Sequence, residues 1–377
     1  MRRWFSLRLL LLLSGCFGAG LSCTDDSSSA GAGSSSDTNG GSTSSSDGGS
    51  SGDTSGGHTG TTGTTGTTDT TNGENSTGTA ETGSTDSDSD SSESETRSTD
   101  STSEETTGGL KVSECEGWEA EHPEWIFCDD FEAGGPLVAE GRYFEHGGGE
   151  GDFELAEGVG VGESRAMQTN FAQGQVEAGN LKLSFGRNPN SYMNTGIRPD
   201  EDFREIWYRL YLRNQDGWTG DPAKLSRATV FSSADDWSQA MVAHFWGDKA
   251  EHLAIDPVSC VVDGQVVCEG YNDFPNMNWL GQQSGPTALF STAESGKWRC
   301  IEAHVRLDDP GQANGVQEFW IDGELEARGE ELEFVGSYGD FAINAVFIEN
   351  YWNSGSVQAQ QRWFDNVVVS TEAIGCL

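Results

Sequence analysis

From residue 125 to the C-terminus the chain is a succession of short runs in which apolar and polar side chains alternate, separated by Gly, Pro, Asn and Asp. A period of two places successive side chains on opposite faces of an extended strand, and no segment sustains a period near 3.6. The pattern predicts an all-β sandwich of many short strands. Ile206, Tyr208, Leu210 and Leu212 alternate with Trp207, Arg209, Tyr211 and Arg213. Ile301, Ala303, Val305 and Leu307 alternate with Glu302, His304, Arg306 and Asp308. Further strand runs are Phe319-Trp320-Ile321 ahead of an Asp322-Gly323 turn, then 341–348 and 362–369.

The preceding third of the chain cannot fold this way. Residues 24–109 hold 62 Ser, Thr or Gly among 86 positions, with 16 acids and no apolar side chain larger than Ala. Such a segment has nothing to bury against its ordering entropy and is expected to be a disordered linker. As a flexible coil it would reach roughly 50 Å. Ahead of it, Arg2 and Arg3 precede the apolar run Leu9–Leu13, which is too short to span a bilayer and reads as a secretory signal. Leu13-Ser14-Gly15-Cys16 resembles the bacterial lipobox, which implies lipidation of Cys16. The alternative is a plain signal cut near Ala19 or Ser22. The expected organisation is a signal over 1–15, a linker over 16–109 and one domain over 110–377. The expected location is a membrane-anchored lipoprotein on the outer membrane or cell surface, with the lipid as its only membrane contact.

Charge follows the same division. The formal net charge of −40 separates into +3 for residues 1–23, −15 for the linker and −28 for the domain. A domain of that sign excludes nucleic acid and an anionic membrane surface as partners. Six of the eight Cys lie in the domain, at 115, 128, 260, 268, 300 and 376, with no Cys-x-x-Cys and no Cys/His cluster at zinc spacing. In an exported chain they read as three disulfides. A hairpin over 260–268 with a three-residue loop and Gly264 in the left-handed position puts Cys260 opposite Cys268. For the rest, Cys115–Cys128 and Cys300–Cys376 are preferred, with the crossed pairings open.

One strand presents an outer face of aromatics and cations: Trp207, Arg209, Tyr211 and Arg213. Flat rings stack on sugars and guanidinium forks pair with carboxylates or hydroxyls, so these four are candidate glycan-binding residues. The competing reading is a second buried face, or Arg stems covering a half-exposed Trp. The domain's 11 Trp are more than a core of this size requires.

The segment Trp298-Arg299-Cys300-Ile301-Glu302-Ala303-His304-Val305-Arg306-Leu307-Asp308, continuing through Glu318-Phe319-Trp320-Ile321-Asp322-Gly323, resembles a strand-loop-strand of alginate- and glucuronan-lyase-type polysaccharide lyases. Phe127-Cys128-Asp129-Asp130-Phe131-Glu132 and Arg362-Trp363-Phe364-Asp365-Asn366-Val367 resemble the opening and closing strands of that family. The resemblance implies a concanavalin A-like jelly roll with a groove for an extended polysaccharide. In active members it implies β-elimination, in which cations neutralise a uronate carboxylate while a base and an acid act on opposite sides of the broken bond. Lys224 sits about where such lyases carry a groove lysine. Where the family has a Tyr-x-Tyr pair, this chain reads Ala240-Met241-Val242-Ala243-His244-Phe245-Trp246. His244 is then the candidate base and Tyr351 the candidate acid. The Glu-x-Asp-x-x-Glu of related endoglucanases occurs nowhere.

No cofactor is required by any of these motifs. Asp130 and Asp365 offer hard oxygen ligands for a structural Ca2+ where the terminal strands of jelly rolls meet. The leading expectation is an exported module that binds extracellular polysaccharide without catalysis. The alternatives are an active lyase of a uronic-acid glycan and a structural or protein-binding surface module.

Overall fold

The alternating runs fold into antiparallel strands in the computed structural model, which describes residues 113–139, 141–149 and 151–377. The signal, Cys16 and the whole linker lie outside the described residues. In chain order the strands begin with β1 (Trp125–Asp129), β2 (Glu145–Gly147), β3 (Phe153–Ala156), β4 (Ala166–Phe171), β5 (Glu177–Ser184) and β6 (Glu205–Asn214). They continue with β7 (Lys224–Phe231), β8 (Gln239–Gly247), β9 (Leu253–Ser259), β10 (Val261–Val262), β11 (Gln265–Val266) and β12 (Asn278–Trp279). The remainder are β13 (Gln283–Ser284), β14 (Arg299–Arg306), β15 (Gly315–Ile321), β16 (Glu324–Leu332), β17 (Ala345–Tyr351) and β18 (Gln360–Ser370). The one α-helix among the described residues is a single turn, Trp118–Glu121.

Two sheets form the sandwich. The first runs β16-β15-β14-β6-β18-β4-β3, with β1 added to β18, and the second runs β12-β9-β8-β7-β17-β5-β2, with β13 added to β9. Neighbours far apart in sequence, such as β6 with β18 and β7 with β17, make this a jelly roll rather than a meander. Ile206, Tyr208, Leu210 and Leu212 of β6 and Ile301, Ala303 and Val305 of β14 all point inward. They meet Leu181 and Leu183 of β5, Ala228 and Val230 of β7, and Phe245, Ile255 and Ile348 from the second sheet. Each fully buried Leu, Ile or Phe contributes about 1.5–3 kcal/mol, so this inter-sheet layer is the main support of the fold.

Three details depart from the sequence expectation. Asp308 does not face solvent: it is buried, and its carboxylate accepts the Val335 and Gly336 amides at 2.8 Å each. The run 341–348 becomes ladder only from Ala345, with Ile343 making an isolated bridge to Phe203. The 260–268 hairpin turns through two residues, Asp263 and Gly264, at φ 50° and 76°, so Val262 pairs with Gln265. That register sets Cys260 against Val267, and the disulfide is closed diagonally.

Disulfides join Cys115 to Cys128, Cys260 to Cys268 and Cys300 to Cys376, with Cα separations of 5.5, 5.3 and 5.9 Å. Three such bonds mark a protein of an oxidising, extracytoplasmic compartment. Among the described residues no helix is long and apolar enough to cross a membrane.

Candidate functional site

The outer face of the first sheet carries the four residues predicted to bind glycan, and Glu114 and the C-terminal tail lie over it. Arg209 is 2% exposed, forms an ion pair with Glu114 and donates to the Gly375 carbonyl at 3.2 Å. The Tyr211 hydroxyl accepts the Leu377 amide at 2.6 Å. Trp207 stacks flat on His304, 4.1 Å between centroids, and His304 is held by Glu318 at 2.7 Å and Glu205 at 2.9 Å. The Arg213 guanidinium lies over Trp298 and Trp363 at 5.0 and 4.4 Å. The reason is long-range: the 115–128 and 300–376 disulfides fasten both ends of the domain to this sheet. Arg209 and Tyr211 are therefore buried beneath these segments, while Trp207 and Arg213 stay half-buried.

Asp130, just after β1, and Asp365, within the central strand β18, come within electrostatic reach of each other. Asp365 accepts the Val161 amide at 2.7 Å and the Asn366 amide at 2.8 Å, and burial pushes its carboxyl up to about 7. Among the described residues no group of three or more His, Cys, Asp or Glu side chains is gathered to hold a metal.

Lys224, His244 and Tyr351, in contrast, share the outer face of the second sheet. Lys224 opens β7 and pairs directly with Tyr351 at the end of β17, its ammonium 4.5 Å from the ring centroid. His244, on β8, pairs with Arg227 on β7. Arg227 is fully buried and grips Glu349 through two hydrogen bonds of 2.8 Å, while its remaining arm donates to Asn272 at 2.7 Å. Tyr271 donates to the same Glu349 carboxylate at 3.2 Å. Burial pushes the Glu349 carboxyl up, but the Arg227 guanidinium overrides this and holds it below the usual range. The Lys224 ammonium is lowered by burial and then by the nearby Arg227 charge.

His244 itself is closed in. Its ring is 1% exposed, its Nδ1 is 3.2 Å from the Asp256 carbonyl, and its Nε2 has no protein partner. Burial, reinforced by Arg227, holds its pKa well below the ordinary value, so the imidazole is neutral at physiological pH. Trp246 stacks on it at 4.3 Å, Trp279 lies 5.7 Å from Trp246, and Phe274 stacks on Trp279 at 6.2 Å with an interplanar angle of 4°. The outer rungs of this ring ladder are open, with Trp279 40% and Phe274 46% exposed. The loop carrying Tyr271 and Phe274 is fixed by the Cys260–Cys268 bond at its root and by Asp273, which accepts the Glu269 amide at 2.8 Å.

Between the Lys224–Tyr351 pair and this loop runs a groove of about 250 Å³, walled by Asn180, Lys182, Tyr271 and Phe274. Asn350 lines it, is 1% exposed, and leaves both amide atoms without a protein partner. A buried amide costs free energy unless something meets it, so this one is matched to a hydroxyl-bearing ligand or water. Lys182 is paired with Glu145 and lies 4.7 Å from the Trp237 ring. The groove is thus aromatic and amide-rich, with its strongest cation already neutralised.

Arg227, Glu349, Asn350, Trp279 and Phe274 were not anticipated from sequence. A signal for the first two existed: a lone Arg inside Leu225–Phe231 and a lone Glu ending Ala345–Ile348 are charges embedded in apolar strands, which survive only as partners.

No family model matches the chain, and no curated protein matches it. Its fold is similar to solved polysaccharide lyases. An endo-β-1,4-glucuronan lyase from the fungus Trichoderma reesei is 15% identical with TM-score 0.42, over 66% of this chain and 96% of that one. An alginate lyase from Aplysia kurodai is 11% identical with TM-score 0.44, over 66% and 99%. The Chlorella virus alginate lyase vAL-1 is 10% identical with TM-score 0.42, over 60% and 91%. Values this low assign no family.

Proposed function

We propose that this domain binds extracellular polysaccharide along the outer face of its second sheet, without catalysis, on an exported protein anchored by a lipid on Cys16. The observation that carries the reading is the closed Arg227–Glu349 pair beneath open walls of Tyr351, Phe274 and Trp279. A guanidinium held bidentately by its own carboxylate is not free to neutralise a uronate, whereas rings and an unmatched amide are what a sugar face and its hydroxyls need. The −28 charge of the domain adds to this, because within a Debye length of about 8 Å of its surface it repels polyuronates.

A β-eliminating lyase is the second reading, favoured by the meeting of Lys224, His244 and Tyr351 on one sheet face. The test is to incubate the purified protein with a panel of uronic-acid polysaccharides and follow the ultraviolet absorbance of unsaturated product. No product, together with retention on polysaccharide-containing gels, is expected. Product that disappears in His244→Ala overturns the binding-only reading.

A further inference from the structure

Beside the groove, across the ring ladder, lies a second and larger cavity of about 750 Å³. The two are continuous through the chain: Ala223 lines the cavity and Lys224 the groove, while Tyr351 lines the groove and Trp352 the cavity. Trp246, which carries the ladder onto His244, forms part of the cavity wall. A sugar chain lying on Phe274 and Trp279 would run from one into the other.

The chemistry changes along that path. The titratable groups lining the cavity are Asp221, Asp248, Lys249, Glu251 and Asp256, four acids against one base. Asp248 is engaged by the Ala250 amide at 2.7 Å and by His252 at 3.3 Å. Among the described residues, Asp221, Glu251 and Asp256 have no cationic side chain within ion-pair distance. Asp221 Oδ1 is buried with no partner, and Trp352, 4% exposed, leaves its indole N–H unmatched. Burial pushes the carboxyls of Asp221 and Asp256 up to about 6 each, Asp221 against partial relief from the buried Arg362 guanidinium and Asp256 with no cation to offset the cost.

An aromatic wall with an unmatched N–H donor, beside carboxylates that are not ion-paired, is complementary to a sugar ring that itself carries positive charge. We propose that this cavity is a subsite for a cationic amino sugar, a hexosamine with a free ammonium group, at one end of the glycan strip. The proposal rests on the glycan-binding reading above and gives it a substrate class. It also turns the acidity of the domain from an obstacle into a recognition element. A divalent cation fits less well, because no three ligating side chains converge there among the described residues.

The experiment is calorimetric titration of the protein with a glucosamine hexamer and with its fully N-acetylated counterpart. An ammonium received by carboxylates makes charge-assisted hydrogen bonds, so the glucosamine hexamer is expected to bind about tenfold or more tightly. Asp221→Asn/Asp256→Asn should still fold, its melting curve moved by the balance between relieved desolvation and the loss of the Asp221 charge near the buried Arg362, and lose that preference while still binding the acetylated hexamer. Glu372→Gln, an exposed acid elsewhere, should keep it. Equal affinities for the two hexamers, or a preference that survives in the double variant, overturn the subsite and leave glycan binding standing. Failure of the wild-type protein to bind either hexamer or any polysaccharide overturns both.

Discussion

The outer faces of the two sheets are stocked with the same kinds of side chain. On the first, Arg209 meets Glu114, Tyr211 meets the Leu377 amide, and Trp207 packs on His304. On the second, Arg227 meets Glu349 and Trp246 packs on His244, but the ladder continues outward to Trp279 and Phe274, which stay exposed among the described residues. The difference is what passes over each sheet. Residues 113–115 and the C-terminal tail lie over the first and are fastened there by disulfides, whereas among the described residues the second receives a loop whose own aromatic residues form one wall of a groove. An aromatic and cationic strand face is therefore either an anchor or a binding surface, and the choice is made by segments far away in sequence.

The sharpest way to break the comparison is at the buried ion pair under the groove. Glu349→Ala leaves the Arg227 guanidinium uncompensated, and a loss of about 3–5 kcal/mol is expected in chemical denaturation. Glu349→Gln should cost less, because it keeps the volume and an acceptor. On the other face, replacing Cys300 and Cys376 by Ser opens a loop of 76 residues and should cost about 2–5 kcal/mol. It should not create glycan binding, since Arg209 keeps its ion pair with Glu114 and Trp207 its stack on His304 when the tail is released.

A third prediction concerns pH. The folded pKa of His244 is depressed, so its contribution to stability is present above the unfolded value near 6.5 and is lost as pH falls below it. One such group gives a slope of up to about 1.4 kcal/mol per pH unit. Asp221, Asp256 and Asp365 have raised pKa values and act in the opposite direction, losing stability as pH rises from about 4 towards 6 or 7. The informative quantity is therefore the difference between the protein and His244→Gln, which should widen in favour of the variant as pH drops from about 6.5 to 5. A flat difference would mean that the imidazole is open to water.

How far the sequence could be read follows from the same comparison. Strand alternation made the sandwich legible, and Ile206, Tyr208, Leu210 and Leu212 point inward as their period requires, because strand geometry is local. The outward set from the same strand was ambiguous, since period two says which face a side chain takes and nothing about what covers that face. Lys224, His244 and Tyr351 are gathered on one sheet face, yet Trp279 and Phe274 lie in a polar stretch with no periodic signal. Their place comes from a short loop pinned by Cys260–Cys268, and a three-residue turn assumed there became two because Asp263 takes a left-handed conformation alongside Gly264.

The smallest expected effect on stability accompanies the largest expected effect on binding. Trp279→Ala removes an exposed ring and should change stability by less than about 1 kcal/mol. The central claim is that the open face of the second sheet, and not the covered face of the first, meets the glycan. Affinity electrophoresis through polysaccharide-containing gels, comparing Trp279→Ala/Phe274→Ala with Trp207→Ala/Tyr211→Ala, tests it directly. Retention should be lost in the first pair and kept in the second. Retention kept in the first and lost in the second would contradict the account.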